Sequence, residues 1–232
     1  MLTRLGLEAQ DALDEFPSDA TRAFSRYYPG ADTWGTLAYE DQWPQRGDYD
    51  MNDVVMHYRT REVMNASRQV VGLSIDYALQ ARGGLLNSGF GVHLPGVAAG
   101  QVASATLSTA GGAAKPLASE AGQTDATFIV TPSVQAQMPI PAAGNCPYVN
   151  TEAGCPTVAA VPYHLEVVFA PGKDQVLGGE TEAVRSGSAR AVIAIRHRIE
   201  GRSLARHSSC YLEIPGAGEG FAAFGQHGVI PG

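Results

Sequence analysis

From Thr33 onward the chain is broken into short runs in which polar and apolar residues alternate with period two, and this limits the fold more than any other feature. The runs are "TLAYE", "VVMHYRTREV", "QVVGLSIDYALQA", "GFGVHL", "QVASATLS", "ATFIVTPS", "YHLEVVFA" and "RAVIAIRHRI". In the third, Leu73, Ile75, Tyr77 and Leu79 fall on one face, as successive side chains of a strand point to opposite sides. Clusters of Asn, Gly, Pro and Ser separate the runs at the spacing of a sandwich, and helical periodicity is nearly absent from the middle of the chain. The pattern predicts a mainly β protein, an antiparallel β-sandwich of jelly-roll type. Residues 1–27 carry only a weak amphipathic pattern and are expected to be a short helix or an irregular or disordered lead-in, with 28–232 forming one β-sandwich domain.

The chain of 232 residues is long enough for a substantial core, and 44% hydrophobic against 17% charged residues favours folding. A net charge of −7 leaves no basic stripe for a nucleic-acid phosphate backbone. No run reaches the roughly 18 apolar residues of a membrane span, and no apolar segment of a signal peptide is visible after Met1. "NASRQ" (65–69) reads as the turn of a long hairpin joining 53–63 to 69–82, and 108–124 as a mobile surface loop. Cys146 and Cys155 bracket a Pro/Gly-rich loop without C-x-x-C spacing, which reads as a local disulfide, stabilising by roughly 2–3 kcal/mol and favouring an oxidising compartment. Two unpaired thiols are the other reading, and Cys210 is left over.

The least ordinary stretch is "YEDQWPQRGDYDMNDVV" (39–55), where Glu40, Asp41, Asp48, Asp50 and Asp53 crowd together with Asn52. Asp48, Asp50 and Asn52 stand at i, i+2 and i+4, a spacing that in a tight loop gathers side-chain oxygens round one centre, as hard cations such as Ca2+ require. An EF-hand is excluded, because its turn glycine would fall at Asp53 and its bidentate glutamate at Arg59. Any metal site here is a sandwich loop completed by Glu40 or Asp41. Asp and Asn are also favoured at turns for their backbone hydrogen bonds, so a solvated turn without metal is the competing reading.

These residues carry a family resemblance. Glu40-Asp41, Trp43-Pro44, Gly47-Asp48-Tyr49-Asp50 and Asn52-Asp53 match the opening motif of the LruC-type domain, with Met51 where an aromatic is usual. The likeness continues through 61–97 and more loosely through "EAGQTDATFIV" and "YVNTEAG", covering roughly 28–170, and it weakens in the tail. The resemblance implies a β-rich domain of secreted or surface bacterial proteins, with Ca2+ held by the acidic motif and no established catalytic activity. The expected site is therefore Asp48, Asp50, Asn52 and Asp53 with Glu40 or Asp41, and the expected role is adhesion or binding of a protein or glycan partner at the cell surface.

Other chemistry finds less support. There is no G-x-S-x-G elbow, no H-E-x-x-H and no P-loop Lys-Ser/Thr. The glycines of "RGGLLNSGFG" are better explained by bends or by close approach of strands. Zinc held by Cys210, His207, Cys146 and Cys155 is a remote option. Trp34 and Trp43, beside the acidic motif, would form a ligand platform if exposed, which keeps a carbohydrate-binding module as an alternative; a carboxylate-dependent glycoside hydrolase is a weaker one.

Overall fold

The computed structural model describes residues 14–40, 48, 50–142 and 145–172, together with the backbone of two later strands, 192–197 and 210–214. The strands are β1 (Phe24–Tyr28), β2 (Gly35–Glu40), β3 (Val54–Met64), β4 (Val70–Ala81), β5 (Ser88–Ala98), β6 (Val102–Thr109), β7 (Lys115–Pro116), β8 (Asp125–Thr131), β9 (Val161–Phe169), β10 (Val192–His197) and β11 (Cys210–Ile214). All eight runs read from the alternation are strands. They form a sheet in the order β11-β2-β3-β4-β9-β6-β7, with β1 also on β3, and a second sheet β10-β5-β8. Every pairing is antiparallel. The chain passes from β4 to β5 and back to β6, then to β8 and back to β9, so the expected sandwich is wound by alternating between sheets.

The period-two pattern shows why these segments pair. Leu73, Ile75, Tyr77 and Leu79 are buried on β4, and Tyr163, Leu165, Val167 and Phe169 are buried on β9. Ile75 lies opposite Leu165 and Leu165 opposite Leu107, so one apolar row crosses three strands. Phe90, Val92 and Leu94 of β5 and Ala126, Phe128 and Val130 of β8 form the facing layer of the same core. The Tyr77 ring meets Phe90 edge-on, with centroids 5.0 Å apart, which joins the two sheets. Each such side chain contributes about 1.5–3 kcal/mol on burial.

The β3–β4 hairpin turns as expected at 65–69. Asn65 Oδ1 accepts from the amides of Ser67 and Gln69, and Arg68 takes the left-handed conformation (φ 62°) that closes the turn. The lead-in differs from expectation at its end. Residues 14–23 are irregular, but Phe24–Tyr28 form β1, paired with Thr60–Met64. Arg26 donates from Nε to the buried Glu62 at 2.6 Å, an ion pair that spacing in sequence does not reveal. Residues 1–13 lie outside the described residues. The stretch 108–124 lies at the surface but is fastened: β7 pairs with β6, the Leu117 amide donates to Ala105 O, and Ser119 Oγ donates to Thr127 O. The tail also joins the fold, β10 pairing with β5 and β11 with β2.

The Tyr77 hydroxyl is buried with no hydrogen-bond partner among the described residues, and burial pushes its pKa well above the ordinary phenol value. A partnerless buried hydroxyl costs its desolvation, so Tyr77→Phe is expected to raise stability by about 1 kcal/mol in urea unfolding. A clear loss in the same measurement would show that the hydroxyl has a partner.

Candidate metal centre

The acidic loop connects β2 to β3 at one end of the sandwich. Glu40, the last residue of β2, is buried (1% exposed), whereas Asp48 and Asp50 are exposed. The ladder resumes where the Asp53 amide donates to Tyr39 O at 3.1 Å, so both ends of the loop are fixed to adjacent positions of β2. Met51 adopts a left-handed conformation (φ 56°), uncommon for a side chain of its size, and turns the chain back between Asp50 and Asn52.

Carboxylate oxygens of Glu40, Asp48 and Asp50 lie within 4.8 Å of one another. Inside that distance each pair of charges repels by at least about 1–3.5 kcal/mol for an effective dielectric between water and protein surface. The donors are all hard oxygens. Two ligands of one Ca2+ ion, at roughly 2.4 Å each, stand at most about 4.8 Å apart, so oxygens gathered within that span are compatible with such an ion. Asn52 braces the group: its amide lies 3.3 Å from Asp50 Oδ1, its Nδ2 donates to Asp50 Oδ2, and its Oδ1 is turned against Gly83. Asp53 is buried beside the loop and is not one of the three gathered carboxylates. Asp41 and Trp43 lie outside the described residues. Trp34 is 41% exposed, and the Arg59 guanidinium stands 5.0 Å over its ring while donating to Ala31 O.

Arg82 and Gly83, which the acidic motif does not contain, hold this end of the fold together. The Gly83 amide donates to Asn52 O at 2.9 Å and that of Gly84 to Asp53 O at 3.3 Å, which seats the acidic loop on the end of β4. Arg82 and Val149 exchange two backbone hydrogen bonds of 2.9 Å. The buried Arg82 side chain donates from Nε to Met138 O at 3.2 Å and from Nη1 to Gly84 O at 3.4 Å. Met138 follows a one-turn helix, α1 (Val134–Gln137), capped by Ser133 Oγ accepting from the Ala136 amide. Beyond it Cys146 and Cys155 are joined in a disulfide, which removes both from any zinc set. Gly83 is closely approached by Asn52, and both lie just outside the strands, so the contact is one of connecting segments and not of neighbouring strands.

The fold and this end of it define an antiparallel sandwich with an acidic loop gathered at a strand end. Residues 68–181 match the model of a family described as Domain of unknown function (DUF4842), a span that starts after the acidic loop. The structure is similar to a crystal structure described as that of a "Putative lipoprotein" from Bacteroides ovatus, with a TM-score of 0.50 and 15% identity, a likeness of fold. It covers 81% of this chain and 55% of that one, so this chain spans little more than half the length of that protein. No curated protein matches. Among the described residues no helix is long and apolar enough to cross a membrane.

Proposed function

We propose that this chain is a non-catalytic, calcium-stabilised β-sandwich module of a secreted or cell-surface bacterial protein, used for adhesion or partner binding, as the LruC-type likeness of residues 39–55 implies. The observation that carries the calcium reading is the convergence of the Glu40, Asp48 and Asp50 carboxylates within 4.8 Å at the end of β2. A bound ion would relieve their repulsion and fix the loop between β2 and β3, so its binding energy would add to folding. The Cys146–Cys155 disulfide supports a compartment outside the reducing cytoplasm. So does the fold likeness to a protein described as a lipoprotein.

Thermal melts in Ca2+ and in EDTA test the reading. Calcium at a hundredfold excess over its dissociation constant adds about 2.7 kcal/mol. Asp50→Ala is expected to lose that increment while melting like the parent in EDTA. An equal loss in both conditions, or a melt indifferent to calcium, would sink the idea. One observation favours a glycan as the partner, the exposure of Trp34. Retention on a glycan array, lost in Trp34→Ala, is the outcome that reading requires.

A further inference from the structure

On the outer side of the large sheet, four strands bring together residues far apart in sequence. Arg59 of β3, Asp76 of β4, His164 of β9 and Ser108 of β6 are register neighbours along one row. Arg59 Nη2 donates to Asp76 Oδ2 at 2.9 Å, and His164 Nδ1 lies 2.7 Å from Asp76 Oδ1. Glu166, two residues along β9 and so on the same face, places Oε2 3.3 Å from His164 Nε2.

The Asp76 carboxylate is held as an ion pair by Arg59 on one oxygen and faces His164 with the other. An ionised carboxylate only accepts, so Nδ1 of His164 carries the proton of that short contact. In the neutral ring Nε2 is then a lone pair, and it faces another acceptor, the Glu166 carboxylate. Two acceptors so close repel unless positive charge lies between them, and that charge is either a proton or a metal ion.

We propose that His164 Nε2 and Glu166 Oε2 form a chelating site for a divalent transition-metal ion of the zinc type, with Asp76 as the carboxylate behind the imidazole. Two donors about 2.0–2.1 Å from a tetrahedral ion stand roughly 3.3 Å apart, and the separation here is 3.3 Å. Metal-binding imidazoles use their other ring nitrogen to donate to a carboxylate, which fixes the tautomer and raises ligand basicity. Asp76 fills that position and is itself held by Arg59. The side chains of His164 and Glu166 are 44% and 41% exposed, so water can complete the coordination shell. An imidazole donor favours zinc, copper or nickel over calcium, so this site and the acidic loop select different ions.

The test titrates the full chain, saturated with Ca2+, with Zn2+ by calorimetry near neutral pH. Nitrogen-detected NMR of the histidine rings is followed alongside. The expected result is a single zinc per chain, a coordination shift at His164 Nε2, and an Nδ1 that keeps its proton. His164→Ala and Glu166→Gln are expected to abolish this binding, and Asp76→Asn to weaken it about tenfold or more. All three are expected to melt like the parent in EDTA, which separates loss of the site from loss of the fold. Zinc binding that persists in His164→Ala overturns the proposal. So does an Nε2 that holds a proton which zinc does not displace.

Discussion

Gly83→Ala is expected to lower the melting temperature by about 6–12 °C, read by scanning calorimetry, for a loss of about 3 kcal/mol in a domain of this size. A Cβ at this position would stand 2.7 Å from Asn52 Cγ and 2.9 Å from Asn52 O, closer than such atoms are found. The Asn52 side chain could swing away. Its carbonyl could not, because it is held by the Gly83 amide itself. The acidic loop would therefore have to lift off β4, losing the hydrogen bonds from Gly83 and Gly84. Asn52 also braces Asp50, so the displacement would carry one carboxylate away from the other two, and calcium affinity is expected to fall with stability. Adding Asn52→Ala should recover only part of the loss, since the backbone clash remains. A Gly83→Ala protein that melts like the parent would mean that the loop is not seated on this glycine.

The strands were legible because burial alternates in the same rhythm as polarity: every second residue from Leu73 to Leu79 is in the core. The 65–69 turn and the disulfide were legible for a similar reason, both being decided within a few neighbouring residues. What sequence could not supply was pairing over long distances. Phe24–Tyr28 carries little alternation, and it is a strand by pairing with Thr60–Met64, where Arg26 meets Glu62, thirty-six positions away. The acidic loop was conspicuous as a charge cluster, yet its division of labour was not. Glu40, Asp48 and Asp50 converge, whereas Asn52 serves as a brace against Gly83. Asp76 and His164 are eighty-eight residues apart and share a row only because β9 inserts between β4 and β6. No local pattern marks them.

Arg82→Met is expected to cost about 3 kcal/mol in urea unfolding, a loss in the range for charge-assisted hydrogen bonds removed from buried partners. Methionine keeps an unbranched side chain but supplies no donors, so the carbonyls of Met138 and Gly84 would lose the partner that now joins them. Those carbonyls belong to the segment after α1 and to the turn after β4, and the second carries the acidic loop. The loss is therefore expected to appear locally before global unfolding, as faster hydrogen exchange at the Gly84 and Val149 amides. Removing the disulfide with Cys146→Ser and Cys155→Ser slackens the same segment from its other end, at a cost of about 2–3 kcal/mol. If Arg82 and the disulfide order one cooperative unit, the combined protein loses less than the sum of the separate losses, since a segment already released cannot be released again. Strict additivity would mean that the guanidinium stabilises β4 alone, and that the acidic loop and the disulfide loop are independent.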